Sequence, residues 1–204
     1  MRTVEVTRTY LEVKRGTKRG GGGVGAGRFK PTPKRGPTAK GLRVQRVFQC
    51  APAFYRFLYT EIGRANYWTD RLAWGDHEIR AHLARPAVSL WLMSCHGGPA
   101  GYFELVEISD DEYEINYLGL LPDFQGRGLG KHLLTYAVKT CWKLGARRVQ
   151  LDTCNLDHPA ALQNYLKHGF RPYSKERFYR VLPVSEAEEQ LFRSGRMNSS
   201  VEYG

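Results

Sequence analysis

The sequence predicts an α/β protein of the α+β kind: a mixed, mostly antiparallel sheet of six or seven strands flanked by about four helices. Three observations predict it. Residues 88–93 and 100–108 are strand-like runs joined across Gly97-Gly98-Pro99, a turn signal, and Asp110-Asp111 marks a second turn into 113–121. Three consecutive strands therefore pair antiparallel. The third of them, rich in Ile, Tyr and Leu, runs into Gln125-Gly126-Arg127-Gly128-Leu129-Gly130, three glycines at alternate positions directly before an amphipathic run. Residues 148–154 then form a strand with Val149, Leu151 and Thr153 on one face. A helical crossover precedes it, so it pairs parallel to the central strand 113–121.

The other elements follow in chain order. Residues 3–13, rich in Val, Thr, Tyr and Leu, read as a strand, and 42–48 (LRVQRVF) as another. Pro52 opens a helix over 52–68 with Phe54, Phe57, Leu58 and Ile62 as its apolar stripe. Asp76 is placed to cap a second helix, 77–85, with Ile79 and Leu83 inward. Tyr67, Trp68 and Trp74 lie at or between these helices, as a wall for a substrate or as a clasp for the loop. The helix after the glycines ends at Gly145, burying Leu129, Leu133, Ala137, Cys141 and Leu144. Pro159 opens the last helix, Gly169 closes it, and 170–182 is the final strand. The chain divides into an N-terminal strand (1–15), a Gly/Pro/basic segment (16–41), a core (42–182) and a tail (183–204) ending in a short helix and a frayed end.

Charge is distributed unevenly. The chain of 204 residues carries a formal net charge of +11, yet thirteen of its 31 Lys and Arg and only two of its 20 Asp and Glu fall in residues 1–50. The remaining 154 residues balance, so the basicity belongs to the N-terminal part. Segment 16–41 is either a solvated insertion or an electrostatic arm for nucleic acid, another acidic partner or a membrane surface. Phe29 stands alone there, without an aromatic platform for bases. Cys50, Cys95, Cys141 and Cys154 are scattered without a Cys-x-x-Cys, which reads as reduced thiols in a cytoplasmic protein and neither a disulfide frame nor a metal site. No apolar run reaches the length of a membrane span, and 1–13 lacks the pattern of a signal peptide.

The glycine loop is the motif that carries chemistry. Glycines there admit positive φ and close approach of a ligand to the backbone. The first amides of the following helix have no internal partners and, with the macrodipole, favour an anion such as phosphate. Arg127 and Lys131 add positive charge. A P-loop is excluded, because no Gly-Lys-Ser/Thr follows; a dinucleotide fingerprint would use Asp152 as its ribose acid but has the wrong glycine spacing.

Gln-x-x-Gly-x-Gly at a strand end resembles the acyl-CoA pyrophosphate loop of the GNAT superfamily of N-acyltransferases. Asn155 after the next strand and Tyr165-Leu166-Lys167-His168-Gly169-Phe170, similar to the family's Tyr-x-x-x-Gly-Phe, agree with it in order, over about residues 44–182. The resemblance implies a GNAT-like sheet splayed at its centre and transfer of an acetyl group from acetyl-CoA to a primary amine, by a monomer or homodimer. It implies a cofactor site made by the backbone of Leu120 and Leu121, by Gln125, Gly126, Arg127, Gly128, Leu129, Gly130 and Lys131, and by Asn155. Asn155 to Tyr165 is about two residues longer than the family pattern.

Such a reaction needs a base for the amine, a donor to the thioester oxygen and a proton for the thiolate. Glu114, six residues before Leu120 and on its face by a period of two, is the expected base, directly or through water. Glu104 on the neighbouring strand is the reserve. The resemblance implies Tyr165 as the acid. A covalent alternative would use Cys154 with His158 as its base. The amine remains open: peptide, polyamine, antibiotic or metabolite.

Overall fold

The computed structural model describes residues 2–16 and 41–182, and the backbone of 201–202. Most of the basic segment 16–41 and the short helix expected in the tail lie outside the described residues. The described elements are β1 (Arg2–Lys14), β2 (Leu42–Val47), α1 (Pro52–Gly63), α2 (Asp76–Leu83), β3 (Val88–Cys95), β4 (Gly98–Ser109), β5 (Glu112–Leu120), α3 (Leu129–Lys143), β6 (Arg148–Cys154), α4 (Ala161–Lys167), β7 (Arg171–Leu182) and the two-residue β8 (Val201–Glu202). They form one sheet in the order β2-β3-β4-β5-β6-β1-β7-β8. All pairings are antiparallel except β5 with β6, as the helical crossover dictates. β1 lies between β6 and β7, a placement that no local signal announces.

Two hydrophobic layers sandwich the sheet. One packs α3 on β4, β5, β6 and β1 through Leu129, Leu133, Val138, Ile115, Leu151 and Leu11. The other packs α1 and α2 through Tyr55, Leu58, Tyr59, Ile62 and Ile79 on Leu90 and Tyr102. Helix α1 therefore buries Tyr55 and Tyr59, whereas Phe57, expected inward, is 44% exposed. Asp76 is the first residue of α2 rather than its cap; it pairs with Arg56 and Arg80. The β3–β4 turn is tighter than expected. His96 and Gly97 both take positive φ, so Gly98 and Pro99 already belong to β4.

Two irregularities in β5 shape the site. The parallel ladder with β6 covers only Glu112 to Glu114, although β5 continues to Leu120 and β6 to Cys154, so the two strands diverge. The β4–β5 register also slips: Leu105 faces Ile115 and Glu104 faces Tyr117, leaving Asn116 as the extra residue of a bulge. The bulge shifts the alternation. Tyr113, Ile115, Leu118 and Leu120 all pack on the α3 side, while Tyr117 packs on the α1 side. The expectation that Glu114 and Leu120 share a face is thus corrected, because the bulge between them turns the strand over.

Candidate active site

The β5–β6 gap opens into a cavity of about 370 Å³. Residues 115–118 of β5 line it on one side and Asp152 and Cys154 of β6 on the other. Glu114 sits at its apex, where the ladder ends. Arg8 and Tyr10 of β1, Arg180 of β7, and Asn66 to Asp70 after α1 complete the wall on one face. Tyr165 and Ala161 of α4, which packs on the opposite face of the sheet, and His158 just before that helix also reach it. The cavity therefore passes through the sheet.

Glu114 is half-buried and has no hydrogen-bond partner among the described residues. Burial pushes its carboxyl above the usual range, the charges of Asp152 and Glu104 push further, and only Arg71 pulls it down. Burial likewise raises the Tyr165 phenol, helped by Asp157 and Asp152, so it stays protonated at neutral pH. No described residue hydrogen-bonds that hydroxyl; the ring is held edge-on against Phe170 at 6.0 Å.

Glu104 is arranged for a different task. It is fully buried, accepts two bonds from Arg71 (2.8 and 2.9 Å), and is bonded by Tyr55, by His82 and by Asn116. Burial alone would raise its carboxyl, but the bonds from His82 and Arg71 and the Arg71 charge hold it below the usual range. Such a carboxylate is an anchor, and the reserve choice of base is corrected on that ground. The Arg71 guanidinium lies over Tyr117 (4.5 Å) and Trp74 (4.7 Å), so the cluster clamps the loop after α1 to the sheet and ties down the bulge residue Asn116. Trp74 is a clasp; Tyr67 and Trp68 line the cavity.

At the other end of the gap, Gly126 and Gly128 take φ of 70° and 76°, and open space surrounds both positions. Gly128 caps α3 without any side-chain bond, no acid lies in the first turn, and Lys131 does. The helix start is thus a free anion cradle. Gln125 folds back to donate to the Leu120 carbonyl (3.2 Å), which fixes the loop on the strand end. Arg127 lies 5.8 Å from the Phe124 ring centre. The Leu121 amide donates to the Ala100 carbonyl on β4, so by strand alternation Leu120 and Leu118 turn their amides toward the gap. Leu121 itself has no free amide to offer a ligand. Leu129 is buried in the α3 layer, and Gly130 packs near Leu120.

Asn155 joins two strands. Its side chain accepts from the Thr7 amide (3.0 Å) and donates to the Glu5 carbonyl (3.1 Å), extending the β1–β6 ladder. Each end of the amide thus has a bond to β1, and the structure assigns Asn155 a strand-joining role in addition to any part in cofactor binding. The covalent alternative loses support. Burial and Asp157 raise the Cys154 thiol, and His158 Nδ1 accepts from the Ala160 amide. Among the described residues no three His, Cys, Asp or Glu side chains assemble as a metal site. No described helix is long and apolar enough to cross a membrane.

Sequence reasoning overlooked Asp70, Asn116, Arg8 and Arg180 as cavity residues, and had weighed Asp152 only for a ribose. One signal was present: Asp152 alternates against Val149, Leu151 and Thr153, placing a carboxylate on the face opposite the core.

Residues 54–170, more than half of the chain, match the family model described as the Acetyltransferase (GNAT) family. The chain belongs to the GNAT acetyltransferase family. It is 31% identical over 96 residues to a Bacillus subtilis (strain 168) protein provisionally named a ribosomal protein bS18-alanine N-acetyltransferase, covering 47% of this chain and 60% of that protein. A GCN5-related N-acetyltransferase from Kribbella flavida shares the fold with a TM-score of 0.55 at 20% identity, over 87% of this chain and 58% of that one. A GNAT family acetyltransferase from Elizabethkingia anophelis with acetyl-CoA bound has a TM-score of 0.50 at 18% identity, over 66% of this chain and 78% of that one. The chain thus spans about 60% of the length of the curated relative it matches. The neighbour from Elizabethkingia anophelis holds acetyl-CoA, the donor of the GNAT family.

Proposed function

We propose that the protein transfers an acetyl group from acetyl-CoA to a primary amine by direct attack. The observation that carries this reading is the sheet gap, with Glu114 on one side, Tyr165 reaching in from the other, and an anion cradle at its end. The donor fits the residues present. Gly126, Gly128 and the first α3 amides leave open space for a diphosphate, with Arg127 and Lys131 supplying charge. The free edge of β5 at Leu118 and Leu120 offers an amide and a carbonyl row to an extended pantetheine arm. When bound, acetyl-CoA supplies the activated acetyl carbonyl.

The residues then divide the work. Glu114, its carboxyl raised above the usual range by burial, takes a proton from the acceptor ammonium, directly or through one water. A gap-facing β5 amide donates to the carbonyl oxygen as charge builds on it. The acceptor nitrogen bonds to the carbonyl carbon while the carbon–sulfur bond breaks, and the electron pair leaves with sulfur. Tyr165 gives that sulfur a proton and is reprotonated from solvent. Glu114 passes the first proton to solvent and then takes the second from the attacking nitrogen.

The acceptor enters from the α1 side, past Tyr67, Trp68 and Asp70. The relative's name makes a protein N-terminal amine one candidate among free amines. The test is thermal unfolding with saturating acetyl-CoA, followed by thiol release with amine acceptors. A raised melting temperature is expected, because the ligand binds the folded chain. No shift at saturation overturns the reading.

A further inference from the structure

The cavity contains two guanidinium groups that the transfer reaction does not require. Arg8 and Arg180 stand on adjacent strands on either side of Phe178, their Cζ atoms 5.1 and 5.9 Å from its ring centre, and both line the cavity. Arg180 is 92% buried, being only 8% exposed. Of its five donors, Nη1 bonds the Tyr67 carbonyl at 3.1 Å and Nη2 lies 3.6 Å from Asp70, which is itself largely exposed. The Nε is buried without a hydrogen-bond partner among the described residues, and so is the Nε of Arg8, whose ion pair with Asp152 is 3.4 Å long. A buried guanidinium Nε left without a partner is costly, and native folds rarely keep one without a use. Two unpartnered Nε groups on adjacent strands line one cavity, and each can donate to an anionic oxygen there.

A carboxylate sits at the other end. Glu114 is at the apex of the gap, where the attacking nitrogen must lie, and it has no partner of its own among the described residues. Arg8 and Arg180 at the β1–β7 wall stand among further carboxylates of the lining, Asp70, Asp152 and Asp157, and Glu114 lies apart from them at the apex. Its volume of about 370 Å³ suits a small molecule or the end of a chain.

We propose that Arg8 and Arg180 read a carboxylate on the acceptor, so that the preferred substrate is an amino acid-like zwitterion whose amine lies at Glu114. This rests on the acetyltransferase reading above. In that arrangement the acceptor carboxylate displaces the loose contacts to Asp70 and Asp152 and satisfies the orphaned Nε groups. A plain diamine would instead leave both guanidinium groups unmet and bring a second cation toward them.

The experiment compares matched acceptors: a panel of L-amino acids, the same compounds as carboxamides, and the corresponding decarboxylated amines. Acetyl transfer is followed by thiol release, and equilibrium binding of each probe is measured by calorimetry on protein saturated with CoA. The expected result is at least a tenfold preference in kcat/KM or Kd for some acids over their amides and amines. Arg180→Gln and Arg8→Gln should each remove that preference through KM, while Arg180→Lys should keep part of it. The acetyl-CoA thermal shift should stay as in the parent protein. Equal or better binding of the amides and amines, absence of binding by every acid, or a preference that survives both Gln variants overturns the proposal. Loss of the acetyl-CoA shift in the parent protein would instead strike the acetyltransferase reading. Should Arg180→Gln fail to fold, the Arg8→Gln and Arg180→Lys variants decide, since Arg8 is only partly buried.

Discussion

Replacing Glu104 by Gln removes one charge and almost no volume, so its cost can be worked from the bonds. Oε1 is bonded to Arg71, His82 and Asn116, and Oε2 accepts from Arg71 and Tyr55. Whichever oxygen becomes an amide group, at least the Arg71 contact there becomes donor against donor. The Arg71 charge is left at 6% side-chain exposure among aromatic rings, without its counter-ion. Losing one partner of such a buried pair costs about 3–5 kcal/mol. At about 2–4 °C per kcal/mol for a chain of this size, the melting temperature should fall by about 6–20 °C. Urea and thermal unfolding at pH 7 are the assays. The double replacement Arg71→Met with Glu104→Leu should recover much of the loss, since matched apolar groups remove both charges together. A Glu104→Gln protein within about 1 kcal/mol of the parent would refute the argument. The same carboxyl sets a pH dependence. Its folded pKa lies below the unfolded value of about 4.3, so its contribution is complete above that pH and disappears as pH falls through the folded pKa. The Gln variant should show a flatter acid limb.

Three further predictions concern the reaction. Tyr165→Phe should lower kcat by about 10²-fold or more while leaving the acetyl-CoA thermal shift intact; unchanged turnover removes Tyr165 from the chemistry. In the parent protein kcat/KM should rise with pH as Glu114 ionises, with a midpoint above the ordinary value of about 4.3. Glu114→Gln should abolish that limb and regain activity only at high pH, and an unaltered profile would exclude Glu114 as base. Gly128→Ala meets no neighbouring atom but places a side chain at φ 76°, so it should cost about 1–2 kcal/mol in stability and weaken acetyl-CoA binding, measured by calorimetry. Parent-like affinity would show that the loop does not hold the donor.

Much of this was legible because it is written locally. The β3–β4–β5 meander declares itself by turn residues, and α3 by its glycine entry, apolar stripe and Gly145 exit. What was not legible depends on partners far apart in sequence. Asn116 is a bulge only because β4 takes a register that skips it, and a strict period of two put Glu114 and Leu120 on one face. Glu104 looked like a spare base because nothing near it in sequence reveals Arg71, 33 residues away, or Tyr55, 49 residues away. Asn155 matched a family motif, but nothing near it in sequence reveals that β1 also bonds both ends of its side chain. Phe57 and Tyr55 lie on nearly opposite sides of α1, and the side turned inward carries the tyrosine, whose hydroxyl bonds Glu104.

The place of β1 has a consequence for how the molecule is made. Thr7 bonds Asn155 across 148 residues of chain, so β1 waits, unpaired, until β6 and β7 have been made. Two ladders then close at once, with β6 on one edge and β7 on the other. Docking of that strand also delivers Arg8 and Tyr10 to the cavity wall, whereas the glycine cradle needs only β5 and α3. During refolding, therefore, the ability to grip the donor should return early and turnover late, the interval between them timing the insertion of a single strand.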